Sequence, residues 1–214
     1  MTRKPRLQYA FLTLQENRDT FFERVHQFVL PYHKEGRVVA DAYDAAKEAF
    51  DKKKRKRGER YFEHCRGVAL IVIDLLGNHD HEVIAGALLH DIVEDRPDEW
   101  SVERIEKEFG PRIATLVAAL SMPTQEFASR EERMRVYHAQ LLAGPPETFQ
   151  IKLSDRLHNL LTCASLSVEA QWRMIEETEE HYLLIAKERN ILHRELRQAI
   201  AARKKALRSA ALVK

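Results

Sequence analysis

Apolar positions recur at helical spacing along most of the chain, and the alternation that marks strands is scarce. The pattern predicts helices over 17–30, 38–52, 63–76, 80–94, 102–109, 111–120, 129–143, 147–163 and 168–190. Gly77, Gly110–Pro111 and Gly144–Pro145–Pro146 fall between these segments, where glycine and proline end helices. Ser101 and Ser167 stand at N-cap positions. Residues 121–128 are the least regular internal stretch, and no repeat or low-complexity linker divides the chain. The expectation is an all-α fold with additions at both ends. Residues 1–37 read as an N-terminal helical extension, 38–190 as the main domain and 191–214 as a basic C-terminal helix or tail.

Composition narrows the class. An apolar fraction of 44% can supply a core. A net charge of +2 gives no general case for nucleic acid or an anionic membrane, so neither is expected as a specific partner. The N-terminus has no hydrophobic signal core and no apolar run reaches membrane-spanning length, so a cytoplasmic protein is expected. Two cysteines, Cys65 and Cys163, are too few for a disulfide framework and read as small packing residues. The basic residues of 191–208 read as a solvated helix that frays, with contact to an acidic partner as the alternative. The sequence leaves the oligomeric state open.

The chemistry concentrates in residues 84–95, where the apolar run Ile84-Ala-Gly-Ala-Leu-Leu89 ends in His90, Asp91, Glu94 and Asp95. Burying unpaired charge is costly, so such a cluster needs a compensating cation. On a continuous helix His90 faces Glu94 and Asp91 faces Asp95. Similar signals lie on both sides. His64 precedes the apolar helix Val68–Leu76, and Asp155, Asn159 and Thr162 share one helical face at i, i+4 and i+7. Two imidazoles with two carboxylates and no thiolate suit Mn²⁺, Fe²⁺, Zn²⁺ or Mg²⁺, with Mn²⁺ favoured for six-fold coordination. Glu94 and Asp95 are then placed to orient or deprotonate an attacking water.

The order His64 … His90-Asp91 … Asp155 resembles the HD superfamily of metal-dependent phosphohydrolases. Four segments resemble one branch of it, the hydrolase domain of the RelA/SpoT homologues. They are Arg55-Lys56 with Gly58-Glu-Arg-Tyr-Phe-Glu-His64, then Ala87–Asp95, Phe109-Gly110 and Lys152–Asn159. The resemblance covers 38–165 and implies an HD-type helical bundle. It implies hydrolysis of the 3′-pyrophosphate of guanosine tetra- and pentaphosphate to GDP or GTP and pyrophosphate, as in the stand-alone small alarmone hydrolases. It further implies that His64, His90, Asp91 and Asp155 hold one Mn²⁺ ion and that Glu94 and Asp95 are the catalytic acidic pair. Arg55, Lys56, Asn159 and Thr162 would contact the nucleotide, with Arg55 near the base. The chain departs from the branch at Cys65, where proline is usual, at Ala118-Ala119-Leu120, where a Thr-Lys pair is usual, and at Leu161, where arginine is usual.

Other readings are weighed beside this one. The alternatives are an HD phosphohydrolase of another nucleotide, either an adenine alarmone or the 2′-phosphate of NADPH, and a nucleotide-binding protein without turnover. The run Lys52–Arg57 is solvated charge apart from Arg55 and Lys56. His79-Asp80-His81 reads as a polar turn, and His158 as a residue behind the ligands rather than one of them. Tyr61, Phe62, Trp100 and Trp172 read as core. No Gly-x-x-x-x-Gly-Lys or Gly-x-Gly-x-x-Gly loop occurs, which removes support for P-loop and dinucleotide folds.

Overall fold

The computed structural model describes residues 16–56 and 58–211. The first fifteen residues of the expected extension, Arg57 and the last three residues of the tail lie outside them. The described chain is helical, without strands, and its one β-bridge pairs Lys54 with Arg60.

The helices run α1 Arg18–Val25, α2 Lys34–Ala49, α3 Phe62–Asp74, α4 His81–Leu89, α5 Ile92–Asp95, α6 Val102–Phe109, α7 Pro111–Leu120, α8 Arg130–Ala143, α9 Glu147–Thr162, α10 Val168–Glu177, α11 Leu183–Glu188 and α12 His193–Ala211. Ser101 caps α6 by accepting from the Arg104 amide at 3.3 Å, and Ser167 caps α10 by accepting from Ala170 at 3.2 Å. Gly110 joins α6 to α7 at φ 95°, a conformation that costs glycine little, and Pro111 starts α7 where its missing N–H is harmless.

Helices α3 and α4 are apolar on nearly every face, with Val68–Val72 and Val83–Leu89 buried. Such helices are stable only when covered all round. Accordingly α2 and α7 pack on α4, α9 packs on α3, and α3 and α4 pack on each other. Full burial of a single side chain such as Leu88 contributes about 1.5–3 kcal/mol. The polar residues that follow these apolar stretches are thereby held at one end of the α3–α4–α9 layer.

Both ends of the described chain join this core. Phe21 of α1 packs on Tyr43 with ring centroids 5.2 Å apart, and Tyr43 packs on Phe62 at 4.8 Å. Helix α12 lies on α9 and buries Leu196 and Ile200. Part of its basic character is used internally, since Lys204 pairs with Glu179 at 2.7 Å and Arg203 donates to Gln171 at 3.1 Å.

Two predicted helices are interrupted. The 168–190 segment contains a π-helical turn at Thr178–Tyr182 between α10 and α11. The 80–94 segment breaks at His90–Asp91, with consequences for the site. Among the described residues no helix is long and apolar enough to cross a membrane.

Candidate metal centre

Three elements converge at one end of the core. His64 lies in the first turn of α3, His90 and Asp91 form the junction between α4 and α5, and Asp155 lies midway along α9. The junction corrects the expectation of a continuous helix. Asp91 sits at φ −103°, ψ −1°, a sparsely populated backbone region common in functional sites. Adjacent residues of a straight helix project about 100° apart. The bend instead brings His90 Nε2 within 3.1 Å of Asp91 Oδ2. Asp95 still lies one turn beyond Asp91, its amide donating to the Asp91 carbonyl at 3.0 Å, while Glu94 is engaged elsewhere. Glu94 accepts from the Met122 amide at 2.6 Å, in the irregular 121–128 stretch, and Asp95 pairs with Lys53.

The four polar groups face one another. His64 Nε2 lies 3.3 Å from Asp155 Oδ1 and 3.6 Å from Asp91 Oδ2, while His90 Nε2 lies 4.0 Å from Asp155 Oδ1. Ligand atoms of His64, His90 and Asp91 all fall within 4.8 Å of one another. His64 and His90 are only 2% and 3% exposed. The other ring nitrogen of His90, Nδ1, is 2.8 Å from the Ala87 carbonyl and, as a donor to it, leaves Nε2 with the lone pair. That Nε2 is buried and has no hydrogen-bond partner. A buried, unpartnered imidazole nitrogen beside two carboxylates is what a divalent cation would satisfy, and the donor set fits one.

The local field supports ionised carboxylates. Against burial, Asp91 and Asp155 push the His90 pKa up to about 9, so without a cation that ring is protonated, and it and His64 hold the Asp91 carboxyl well below the usual range despite burial; a bound cation would take the place of that proton. Asp155 is likewise held low against burial, by Lys152 at 3.3 Å and by His64. Lys152 is half-buried, and despite desolvation Tyr137 and Asp155 hold its pKa well above the ordinary value. Glu94 is different. Burial pushes its pKa up, and the Met122 amide offsets this only in part.

The residues read as nucleotide contacts form a network with the centre. The turn from Lys53 to Tyr61 is closed by Arg55 N to Glu59 O at 2.9 Å and Tyr61 N to Lys53 O at 2.8 Å. It projects Arg55 onto α9, where the guanidinium donates to Asn159 Oδ1 at 2.6 Å and Thr162 Oγ1 at 3.1 Å. Asn159 in turn donates to Asp155 Oδ1 at 2.5 Å. Lys56 is exposed on the same turn and makes no hydrogen bond or ion pair to the cluster.

Sequence reasoning missed several participants. Tyr61 is more than a core residue, because its hydroxyl donates to Asp91 Oδ2 at 2.6 Å. Lys53 is not simply solvated: it pairs with Asp95 and lies 4.0 Å over the Tyr61 ring. Lys152 stood in a quoted motif without a role. Tyr61 and Phe62 form an aromatic pair that reads as core and the run around 53 is uniformly basic, so neither signalled these contacts. The polar-turn reading of 79–81 agrees with the structure, where Asp80 caps α4 by accepting from Glu82 at 2.9 Å and His79 stacks on Phe28. Cys65 and Cys163 are buried and not joined in a disulfide, and burial pushes the Cys65 pKa up, as for a packing residue. A cleft of about 700 Å³ opens elsewhere, between α8 and α10, and includes none of the cluster.

A helical domain that sets the His64, His90-Asp91 and Asp155 positions at one end of its core defines a class, and comparison agrees with it. The chain belongs to the HD-domain family, whose model matches residues 42–192. It is 34% identical over 166 residues to guanosine-3′,5′-bis(diphosphate) 3′-pyrophosphohydrolase of Aquifex aeolicus, covering 77% of this chain and 23% of that protein. It is 30% identical over 178 residues to the bifunctional (p)ppGpp synthase/hydrolase SpoT of Escherichia coli, covering 80% of this chain and 25% of that protein. The chain thus spans about a quarter of the length of these relatives. A solved structure described as a metazoan ortholog of SpoT that hydrolyses ppGpp shares the fold. Its TM-score is 0.59 at 24% identity, over 78% of this chain and 95% of that one.

Proposed function

We propose that this chain is a metal-dependent hydrolase that removes the 3′-pyrophosphate of guanosine tetra- and pentaphosphate, giving GDP or GTP and pyrophosphate. The observation that carries the reading is the convergence of His64, His90, Asp91 and Asp155 around an unpartnered imidazole nitrogen, in a chain similar to proteins named for that reaction. These four residues hold the ion, and Mn²⁺ is our choice among divalent cations. When bound, it supplies a Lewis acid that acidifies water and offsets phosphate charge.

The chain's own groups do the rest. Glu94 takes the proton of the attacking water. Its raised pKa brings its basicity closer to neutrality, where a general base works best. The Met122 amide fixes one of its oxygens and leaves the other for the water. Asp95, pinned by Lys53, orients the same water. Arg55 offers a planar fork to the purine edge or a phosphate, backed by Asn159 and Thr162. Lys56 adds positive charge at the exposed rim. Phosphoryl chemistry depends on such charge neutralisation and positioning more than on covalent steps.

The test is incubation with Mn²⁺ and guanosine tetraphosphate, adenosine tetraphosphate or NADPH, with products separated by chromatography. Pyrophosphate with GDP is the expected outcome. ADP with pyrophosphate, or phosphate from NADPH, would move the substrate assignment. Binding without turnover would overturn the hydrolase reading.

A further inference from the structure

Between α3 and α9 two imidazoles meet nitrogen to nitrogen. His64 Nδ1 and His158 Nδ1 are 2.9 Å apart, both rings are buried, and one nitrogen must carry the shared proton. We propose that His158 is a positioning residue for the metal centre, accepting at Nδ1 from His64 Nδ1–H and so holding the His64 imidazole with its Nε2 lone pair toward the cation. The inference rests on the reading of His64 as a ligand.

Two observations fix the direction of this hydrogen bond. First, His64 Nε2 is the nitrogen that faces Asp155 and Asp91, at 3.3 and 3.6 Å. A neutral imidazole that ligates through Nε2 carries its proton on Nδ1, so His64 is the donor. Second, Arg55 Nη1 also approaches His158 Nδ1, at 3.4 Å. A guanidinium only donates, so this nitrogen of His158 faces two donors and must offer its lone pair.

The ring is also locked in place. A Cβ at position 67 would fall 2.3 Å from His158 Nε2, so the absence of a side chain at Gly67 is what lets the imidazole lie against α3. On α9, His158 follows Asp155 by three residues, one helical turn, and Asn159 follows by four. One stretch of helix therefore supplies a ligand and the groups that orient the others. A partner on the far nitrogen of a ligating histidine sets both its tautomer and its orientation.

The test uses the full chain and two substitutions. His158→Asn places an amide oxygen near the former Nδ1 and keeps an acceptor, whereas His158→Leu removes it. Both lose ring volume, so a packing role alone would affect them alike. Zn²⁺ affinity is measured by competition with a chromophoric chelator. The His64 tautomer is read from ¹⁵N-labelled imidazole spectra of the Zn²⁺-loaded wild type. The expected result is a protonated His64 Nδ1, about 10- to 100-fold weaker Zn²⁺ binding for His158→Leu, and recovery of most of that loss in His158→Asn. Wild-type affinity in His158→Leu, an asparagine variant no better than leucine, or an unprotonated His64 Nδ1 would each overturn the proposal. If His158→Leu does not fold, the wild-type spectrum decides. Failure of the underlying reading looks different: wild type and His64→Ala would then bind Zn²⁺ equally poorly.

Discussion

The Tyr61 hydroxyl donates a 2.6 Å hydrogen bond to Asp91 Oδ2, the oxygen that also lies 3.1 Å from His90 Nε2. Burial and the Asp91 charge hold the phenol well above its usual pKa, so it remains a donor at any working pH. It aims a carboxylate that would otherwise rotate. Tyr61→Phe should weaken divalent-metal binding by about tenfold while leaving the fold intact, as measured by chelator competition beside thermal unfolding. Unchanged affinity would remove Tyr61 from the centre.

Glu94 links the centre to the 121–128 stretch through the Met122 amide. Glu94→Gln should keep the metal and lose about 10²- to 10⁴-fold in turnover, the usual range for general-base removal. The sign of the pH dependence follows from burial. A carboxyl with a raised pKa stays protonated to higher pH, and only its ionised form can take a proton. Turnover of the wild type should therefore rise with pH through a limb above the ordinary carboxylate range, and Glu94→Gln should lose that limb. A rate profile taken at saturating metal distinguishes the two.

Arg55 bonds both Asn159 and Thr162 from the 53–61 turn. Hydrogen bonds to a charged group are worth about 1.5–3 kcal/mol, so Arg55→Ala should raise KM by about 10- to 100-fold. Steady-state kinetics would show the effect in KM. A change confined to kcat would contradict a binding role.

Gly67 tests the packing behind the ligands. Alanine in a helix gains about 1 kcal/mol over glycine. A methyl group 2.3 Å from the buried His158 ring costs about 1–3 kcal/mol by overpacking. Gly67→Ala should therefore lower Tm and weaken metal binding together. A raised Tm would mean that His158 moves aside freely.

The features legible in the sequence were those written in local chemistry. Gly110–Pro111 and Ser101 marked α6 and α7 correctly because turn and cap residues act through their own backbone. The all-α class followed from spacing, and the His64, His90-Asp91 and Asp155 positions followed from polar residues placed at the ends of apolar runs. The bend at His90–Asp91 was not legible, because Ile92 and Val93 continue the helical apolar spacing across it. The π turn at Thr178–Tyr182 was hidden for the same reason. The partnerships of Tyr61 with Asp91, Lys53 with Asp95 and His158 with His64 depend on three-dimensional packing of segments 30 to 94 residues apart, or on a tight turn laid over α5, and no periodicity encodes them.

The central claim is most directly tested by pyrophosphate release from guanosine tetraphosphate during a Mn²⁺ titration of metal-stripped protein, run in parallel with Asp91→Ala. The expected result is release that saturates at one ion per wild-type chain, with neither binding nor release in the variant. Release that is independent of added metal, or undiminished in Asp91→Ala, would contradict the assignment of this cluster as the catalytic metal centre.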